Sequence, residues 1–321
     1  MQLSFADYLR RSWDHMLEVL FRPFDLGKWF VLGFAAWLAG LTSFGGGGGS
    51  GVDSTFGVER TADDFGEAAE SLAGMIDYLM NQRFLLVLVA LAMIAAFVLV
   101  VLLTWISSRG KFIFLDGVVR NDAQIREPWS RFREAGDSLF RFRFVFGVIQ
   151  LAVGLFFGGA LLWLLLANFS YVEAHGLAPL PTALALIAVF VLFAFVIAAA
   201  NFALGAFVVP IMYRTGLPVM AAWAELGTLF SMQPAGFLAC ALIVFLLGIA
   251  VGVAVLIIGL MTCCFGFLLL MLPYIGTVLL LPVHVAYRAF TVIFLAAIDE
   301  RFALISPPTP QTPAAPAQPL V

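Results

Sequence analysis

Long runs of apolar residues alternate along the chain with shorter polar segments. Five runs contain no Asp, Glu, Lys or Arg, and a sixth, near 265–298, has only His284 and Arg288 as basic residues. Because about 20 helical residues cross a hydrocarbon layer ~30 Å thick, most of these runs are long enough to span a membrane. They lack the polar alternation of membrane barrel strands, so they predict helices. The five uncharged runs are 29–44, 84–107, 144–168, 183–209 and 236–262.

The composition excludes the soluble classes of protein. Of 321 residues, 63% are apolar and 12% are charged, and the mean hydropathy is +1.04, whereas an ordinary soluble domain has roughly 25% charged residues. Three cysteines are too few for the disulfide framework of a small secreted protein. We therefore predict an all-α, polytopic transmembrane helical bundle of about six spans, in which residues 1–303 form a single transmembrane domain.

Lys and Arg are concentrated on one side of the predicted spans. Of the 17 Lys and Arg residues, only Arg60 and Arg83 fall on the other side, which is mainly acidic. The densest basic segment is 108–143. Since cytoplasmic loops carry the excess of Lys and Arg, the pattern predicts a multi-pass membrane protein with both termini in the cytoplasm.

An amphipathic helix with a tryptophan on its apolar face is predicted before each odd-numbered span. Apolar residues recur in these three segments with the 3.6-residue period of a surface helix. Such helices lie in the membrane interface or cover the cytoplasmic ends of a bundle, and their tryptophans are the predicted interfacial anchors. The segments are 5–22 with Trp13, 128–142 with Trp129, and 219–232 with Trp223. The predicted apolar face of the first segment is Phe5, Leu9, Trp13, Met16 and Leu20.

Several features recur three times along the chain. A GxxxG pair begins at the same distance after Trp129 and after Trp223. Because small residues four apart let helix backbones approach closely in lipid, these glycines are predicted helix-packing positions. Similar segments near 109–115, 204–209 and 288–293 each follow a long apolar run. We interpret the chain as three repeats of an interfacial helix plus a transmembrane hairpin. The glycines are Gly154, Gly158, Gly248 and Gly252, and the repeats cover about 1–120, 121–218 and 219–303.

Two segments do not follow the repeated pattern of interfacial helix and transmembrane hairpin. Residues 45–82 are predicted to lie on the outer face, where a Gly-rich linker precedes an acidic amphipathic helix. The glycines are not followed by the Gly-Lys-Ser/Thr sequence that a phosphate-binding loop requires. Residues 304–321 are rich in proline and predict a disordered cytoplasmic tail.

The sequence offers little for metal binding or catalysis. The three histidines fall in different segments, and Cys240 is far along the chain from Cys263 and Cys264, whose side chains point in different directions on a helix. We find no nucleophile motif with its partners and no carboxylate inside a predicted span. We therefore expect no catalytic residue, no metal ion and no cofactor, and a protein that is not an enzyme.

His284, Tyr287 and Arg288 form a candidate polar cluster in the last span. His284 and Arg288 lie one helical turn apart, after two prolines that bend the helix and free carbonyl groups. If the span covers 274–298, Arg288 lies about 15 Å deep, where a cation marks a candidate anion site. If the span is nearer 265–287, Arg288 snorkels to the cytoplasmic interface, as does the matching arginine of the first repeat.

The basic segment 108–143 has two interpretations. Its Lys and Arg residues, interleaved with Phe and Trp, are compatible with nucleic-acid binding. However, the aromatic residues follow the helical period and the segment adjoins a predicted span. Contact with anionic lipid, worth ~1 kcal/mol per favourable Lys or Arg, is the favoured interpretation, and we expect no nucleic-acid partner.

Three motifs give the chain a resemblance to a group of uncharacterised bacterial six-span membrane proteins. They are LFRPFDLGKW at 20–29, PYIGTV at 273–278 and LPVHVAYR at 281–288. The chain is more distantly similar to the membrane portion fused to some glycerophosphodiester phosphodiesterases. Since no matching catalytic domain is present, the resemblance implies a membrane architecture and does not imply phosphodiester hydrolysis.

Three functional hypotheses follow. We expect an integral membrane protein of unknown molecular activity that supports or organises the cell envelope without catalysis. The alternative is a small-solute or lipid transporter that uses the kinked last span near His284 and Arg288. A membrane enzyme is the third hypothesis, and no motif supports it. Membrane lipids are the expected partners, while a homo-oligomer or a membrane-protein partner stays open.

Overall fold

The computed structural model of the chain describes residues 5–42, 74, 83–167, 180–262 and 265–305. Within these ranges all regular secondary structure is helical. Most of the predicted outer segment 45–82 and most of the predicted tail 304–321 lie outside the described residues. In chain order the helices are α1 (Phe5–Phe21), α2 (Leu26–Gly40), α3 (Arg83–Arg120), α4 (Arg126–Arg131), α5 (Arg133–Ala167), α6 (Leu180–Ala203), a π-helical turn (Leu204–Val208), α7 (Val209–Thr215), α8 (Val219–Met232), α9 (Pro234–Met261), α10 (Phe265–Met271), α11 (Pro273–Leu279), α12 (Leu281–Ile298) and a 3₁₀ turn (Glu300–Phe302).

Five helices are long and apolar enough to cross a membrane, which indicates a multi-pass membrane protein. Four of them are α3, α5, α9 and α12, and the fifth runs through α6, the π-helical turn and α7. Helix α2 has 15 residues and is shorter than an ordinary span. The all-helical class predicted from the sequence is confirmed, and the count of about six spans and the threefold repeat stay predictions.

Three buried stretches form the core of one end of the bundle, which we call the packed end. They are 107–118 of α3, 204–212 around the π-helical turn, and 285–295 of α12. Each stretch belongs to a different predicted repeat, and all three contribute to one apolar cluster that includes Phe112 and Phe290. Helices α1, α2 and α8 cover this core. The similar segments of the three predicted repeats therefore meet inside the protein.

The remaining parts of four long helices are mostly exposed, and we call them the apolar end. In α3 every residue of 86–100 is exposed. In four of the five candidate spans, the most apolar 18-residue stretch contains no buried residue. So large an apolar surface is unfavourable in water, and lipid is the medium that suits it. The apolar end comprises 86–100 of α3, 145–163 of α5, 184–196 of α6 and 242–261 of α9.

Two of the three predicted amphipathic helices are observed with nearly their predicted bounds, as α1 and α8. The prediction for 128–142 is wrong in extent. Helix α4 ends at Arg131, and a new helix, α5, begins at Arg133 and continues into a candidate span. The break falls at Phe132, whose ring stacks on Phe112 and Tyr213 in the core. Burial of this ring between two helices decides where the chain bends.

The buried face of α1 differs from the predicted face by a rotation about the helix axis. Met16 and Leu20 are buried as predicted, whereas Trp13 is 55% exposed. Ser12 is buried, and its hydroxyl offsets the cost of burial by donating a hydrogen bond of 2.7 Å to the Leu9 carbonyl. Trp13 therefore lies outside the protein core, and its role as an interfacial anchor stays a prediction. The buried residues of α1 are Tyr8, Ser12, Met16, Val19 and Leu20.

The other two predicted anchors, Trp129 and Trp223, are half-buried and pack against aromatic rings. The Trp129 ring meets Trp105 edge-on, with 6.0 Å between the ring centroids. The Trp223 ring lies against Phe142, with 6.1 Å between the centroids. Both side chains therefore stabilise the packed end from within the protein, and their contact with lipid headgroups stays a prediction.

The last apolar run is interrupted twice, as its prolines predict. Helix α10 ends at Met271, α11 begins at Pro273, and α12 begins at Leu281, one residue before Pro282. Proline lacks the backbone N–H of the helical ladder and its ring crowds the preceding turn, so the helix restarts at each of these positions. The bend predicted before His284 and Arg288 is thus confirmed.

A close contact of helix backbones joins α2 and α3 at Gly110. A Cβ at this position would lie 2.8 Å from backbone atoms of Leu38 and Ala39, and the Ser107 hydroxyl donates a hydrogen bond of 3.0 Å to the Ala39 carbonyl. The glycines chosen from the GxxxG pattern are different, because a Cβ on any of them would meet no heavy atom of the described residues within 4 Å. They lie in the apolar end, and their role in helix packing stays a prediction. These glycines are Gly154, Gly158, Gly248 and Gly252.

Candidate functional site

Arg288, a member of the predicted polar cluster, is buried in the packed end. The residue is 6% exposed, and its Nη1 donates a hydrogen bond of 2.6 Å to the Gly205 carbonyl. Its buried Nε has no hydrogen-bond partner within the part of the chain that the structure describes. The Arg288 side chain is therefore enclosed by protein, and both interpretations of its depth in the membrane stay predictions.

The π-helical turn Leu204–Val208 supplies the carbonyl that Arg288 contacts. The N–H of Val209 donates to the Leu204 carbonyl, which is one residue farther than in an α-helix. Such wide turns inside a helix are frequent at functional sites. The Nζ of Lys111 lies 4.0 Å from the position that a Cβ on Gly205 would take, which is an ordinary van der Waals distance. Two cations from two other helices therefore meet at one glycine.

Arg143 of α5 is the third cation in this region. Its Nη1 donates to the hydroxyls of Ser107 at 3.1 Å and Ser108 at 3.3 Å, and its Nη2 donates to Thr42 at 2.7 Å. Ser107 and Lys111 lie four residues apart on α3, so they share one face of that helix. Arg143 and Lys111 therefore approach the same side of α3, and both are half-buried.

We call Lys111, Arg143 and Arg288 the basic cluster. The charges of Arg143 and Arg288 both repel the Lys111 ammonium group. None of the three takes part in any of the ion pairs found among the described residues. The hydrogen bonds of the two arginines go to hydroxyls and a carbonyl, which carry no charge. Since a buried cation without a counter-charge is costly in free energy, the cluster has an unbalanced positive potential.

Other buried charges of the packed end do have partners of opposite sign. Arg109 forms an ion pair of 2.8 Å with Asp137, and its guanidinium lies 4.3 Å from the centroid of the Trp105 ring. Asp116 pairs with Arg120 at 3.1 Å. The chain thus provides carboxylates for these neighbouring cations. The basic cluster differs from them, because none of its three cations forms an ion pair with a carboxylate among the described residues.

The basic cluster lies where the exposed apolar surface of the helices ends. On α3 the exposed run 86–100 gives way to the buried stretch 107–118, which contains Lys111. On α5, Arg143 directly precedes the apolar end, which begins at Val145. Each of the three cations is about ten residues, or about 15 Å, from the packed-end terminus of its helix. The cations therefore share one level of the bundle.

His284 and Tyr287, the other members of the predicted cluster, are half-buried neighbours of Arg288 on α12. The Nδ1 of His284 lies 2.8 Å from the carbonyl of Leu280, one turn earlier on the chain. The contacts that place Arg288 beside other cations come from α3 and the π-helical turn. The tertiary structure thus groups Arg288 with Lys111 and Arg143, two residues that sequence reasoning missed as site members. Lys111, Arg143 and Arg288 lie at similar distances from the ends of their helices, and this similarity is the feature that could have indicated a common site.

A separate charged group lies at the exposed edge of the packed end. Arg301 donates to the Asp299 carboxylate at 2.7 Å and to Glu225 of α8 at 2.9 Å, which connects the end of α12 to α8. The hydrogen bond from Arg301 holds the pKa of Asp299 below its usual value, although partial burial opposes this shift. The Asp299 side chain also caps the 3₁₀ turn by accepting from the Arg301 N–H.

Residues that could bind a metal are not grouped within the described ranges, where no set of three or more His, Cys, Asp and Glu side chains converges. Cys240 is buried and forms no disulfide. Cys263, Cys264 and His175 lie outside the described residues. The predicted lack of a metal ion, a cofactor and catalytic residues stays an expectation.

Residues 3–305 match a family of unknown function, DUF7544. The match extends over nearly the whole chain, so the chain belongs to this family. No curated protein and no solved structure matches the chain. Membership in an uncharacterised family, as the sequence motifs imply, is confirmed. The match says nothing of glycerophosphodiester phosphodiesterases.

Proposed function

We propose that this member of a family of unknown function is a non-enzymatic membrane bundle that supports or organises the bacterial cell envelope. The observation that carries the proposal is the contrast between a packed base and four helices whose apolar stretches stand exposed above it. Helices arranged in this way hold lipid between them at a fixed spacing. A bundle of this shape stabilises the membrane around it through contact, without a reaction.

The orientation of the bundle follows from its charges. The basic residues of 108–143, together with Arg214, Arg288 and Arg301, belong to the packed end or its connecting segments. By the positive-inside rule the packed end lies on the cytoplasmic side of the inner membrane, and both termini are cytoplasmic. A reporter fused after residue 321 that is active only in the cytoplasm would support this orientation, and activity only outside the cytoplasm would contradict it.

The basic segment 108–143 is the expected contact with anionic lipid. Its exposed basic side chains include Arg126, Arg133 and Arg141, and they lie on α4 and the first turns of α5. Each favourable Lys or Arg near an anionic surface contributes ~1 kcal/mol. Homo-oligomers or other membrane proteins are partners that this arrangement allows along the exposed apolar helices.

Two experiments test the organising role. A strain that lacks the protein should lose resistance to detergent or osmotic stress, and the wild-type chain should restore it. The purified protein in liposomes should give no protein-dependent flux of small solutes or lipids above that of empty liposomes. Substrate-specific flux through the purified protein would contradict the non-enzymatic organising role.

A small-solute or lipid transporter is the second candidate, and the broken last run favours it. Helices α10, α11 and α12 meet at two proline positions, and Arg288 is buried just beyond the second. Interrupted helices beside a buried charge are typical of transporter binding sites. The distant likeness to the membrane portion of glycerophosphodiester phosphodiesterases is compatible with a lipid substrate. In the flux assay above, Arg288→Gln should abolish transport if this candidate is correct.

A further inference from the structure

The three cations of the basic cluster need a counter-charge. Arg288 is 6% exposed and its Nε has no partner among the described residues, although an arginine can donate five hydrogen bonds. Lys111 is repelled by both arginines. Nearby Arg109 shows the ordinary solution, which is a carboxylate at 2.8 Å. The basic cluster therefore has the electrostatics of an anion site whose anion comes from outside the chain.

The donors of the cluster suit a phosphate group. Two guanidinium groups offer planar pairs of N–H donors, which match the oxygen spacing of phosphate, and a lysine adds a mobile point charge. The hydroxyls of Ser107, Ser108 and Thr42 hold Arg143 in place at 2.7–3.3 Å. The Gly205 carbonyl holds Arg288 in the same way at 2.6 Å. Both arginines are thus positioned before any ligand binds.

The depth of the cluster connects it to the membrane. Lys111 and Arg143 are half-buried, whereas Arg288 is buried. The level at which the exposed apolar surface ends is the level at which lipid headgroups begin. A phosphate of a lipid headgroup and a free phosphate from the adjacent aqueous phase can both reach this level.

We propose that Lys111, Arg143 and Arg288 bind a phosphate group at the junction of the packed end and the apolar end. The phosphate oxygens accept hydrogen bonds from the two guanidinium groups and the ammonium group, and their negative charge offsets the three positive charges. This inference goes beyond the organising role and does not depend on it, because a bound phosphate is compatible with a static bundle and with a transporter.

The test uses the full-length protein in a sugar detergent that contains no phosphate. In the first arm, inorganic phosphate is titrated at constant ionic strength against chloride, and the melting temperature is recorded. In the second arm, phosphatidylglycerol is added without free phosphate, and diacylglycerol, which lacks the phosphate, is its control. A rise with inorganic phosphate indicates a free phosphate as ligand, and a rise with phosphatidylglycerol alone indicates a lipid headgroup.

Matched variants decide whether the basic cluster is the site. Lys111→Gln, Arg143→Gln and Arg288→Gln should each raise the half-maximal ligand concentration about tenfold or more, as expected for the loss of a charged hydrogen bond. Arg11→Gln, an exposed arginine on α1 that lies outside the basic segment 108–143, should respond as the wild type does. If Arg288→Gln does not yield folded protein, the other two variants carry the test, because their residues are only half-buried.

One result separates a ligand site from a merely structural role. Without phosphate, Lys111→Gln should melt no lower than the wild type, because the substitution removes repulsion from two arginines. With ligand, the same variant should melt below the wild type. The proposal is overturned if neither ligand raises the wild-type melting temperature above its control, or if the three cluster variants respond as Arg11→Gln does.

Discussion

Helix α3 passes through both ends of the bundle, and its two parts have different surroundings. In the packed end, a Cβ on Gly110 would lie 2.8 Å from the backbone of α2, whereas every residue of 86–100 in the apolar end is exposed. The stretch 86–100 contains only apolar residues, whereas the buried stretch 107–118 contains three charged residues, Arg109, Lys111 and Asp116. Lipid suits the first stretch, and contacts with other helices of the protein surround the second. Substitutions at the packed end should be costly, and those at the apolar end should be mild.

The largest expected difference between the two ends concerns phenylalanine. Phe112 is fully buried in the packed end and Phe97 is 58% exposed in the apolar end of the same helix. Phe112→Ala should lower the free energy of unfolding by about 3–5 kcal/mol through lost contacts and a cavity. Phe97→Ala is the matched control and should cost far less. Denaturation of the purified proteins in detergent measures both, and equal losses would contradict the division into two ends.

Two glycines, Gly110 in the packed end and Gly154 in the apolar end, provide a second comparison of the two ends. Gly110→Ala should cost about 1–3 kcal/mol, because the atoms that the new methyl group meets are backbone atoms of α2 and cannot move aside. Gly154→Ala, on α5 in the apolar end, places its methyl group within 4 Å of no heavy atom among the described residues. It should be neutral or stabilise its helix by up to about 1 kcal/mol. Melting temperatures in one detergent are sufficient, and a larger loss at Gly154 would show that this glycine packs against another molecule.

The paired arginine of the packed end provides a third comparison. Asp137→Asn removes the counter-charge of buried Arg109 and should destabilise the protein by about 1 kcal/mol, less than for a fully buried pair because the Asp137 side chain is 39% exposed. Glu134→Gln, at an exposed position one turn earlier on α5, is the control. Chemical denaturation of both variants checks the value. If Asp137→Asn is as stable as Glu134→Gln, Arg109 does not need its carboxylate.

The smallest effect is expected at Asp299, at the exposed edge of the packed end. The hydrogen bond from Arg301 lowers the pKa of the folded carboxyl below that of the unfolded chain. The resulting stability is therefore present above the unfolded pKa of about 3.9 and is lost as the pH falls through the folded pKa. The wild type should exceed Asp299→Asn slightly in melting temperature at pH 7. This gap should close below about pH 4, and a gap that persists there would contradict a charge-based contribution.

Much of the local structure could be predicted because its causes are local. The helix over Val219–Met232 has the bounds that its apolar period predicts, and the breaks before α11 and α12 follow from Pro273 and Pro282. The error at 128–142 has a different origin. A continuous helical period cannot show that the Phe132 ring stacks between α3 and α7 and ends a helix there.

The candidate site was predicted only in part. Arg288 attracted attention because a charge in an apolar run is rare. Lys111 and Arg143 did not, since each lies in a segment rich in basic residues and resembles its neighbours in sequence. What distinguishes them is the absence of a carboxylate partner among the described residues, and Arg109, two positions before Lys111, has one. An ion-pair partner that lies on another helix cannot be recognised from the local sequence pattern.

The sequence by itself determined that the chain is helical, that its surroundings are lipid along several helices, and that its basic residues gather at one set of helix ends. These properties are sums over neighbouring residues, so composition and period are sufficient to reveal them. Only the tertiary structure decided which glycine lets two helices touch and which cations remain without a counter-charge. Those properties depend on single contacts between distant parts of the chain, such as Arg288 with Gly205.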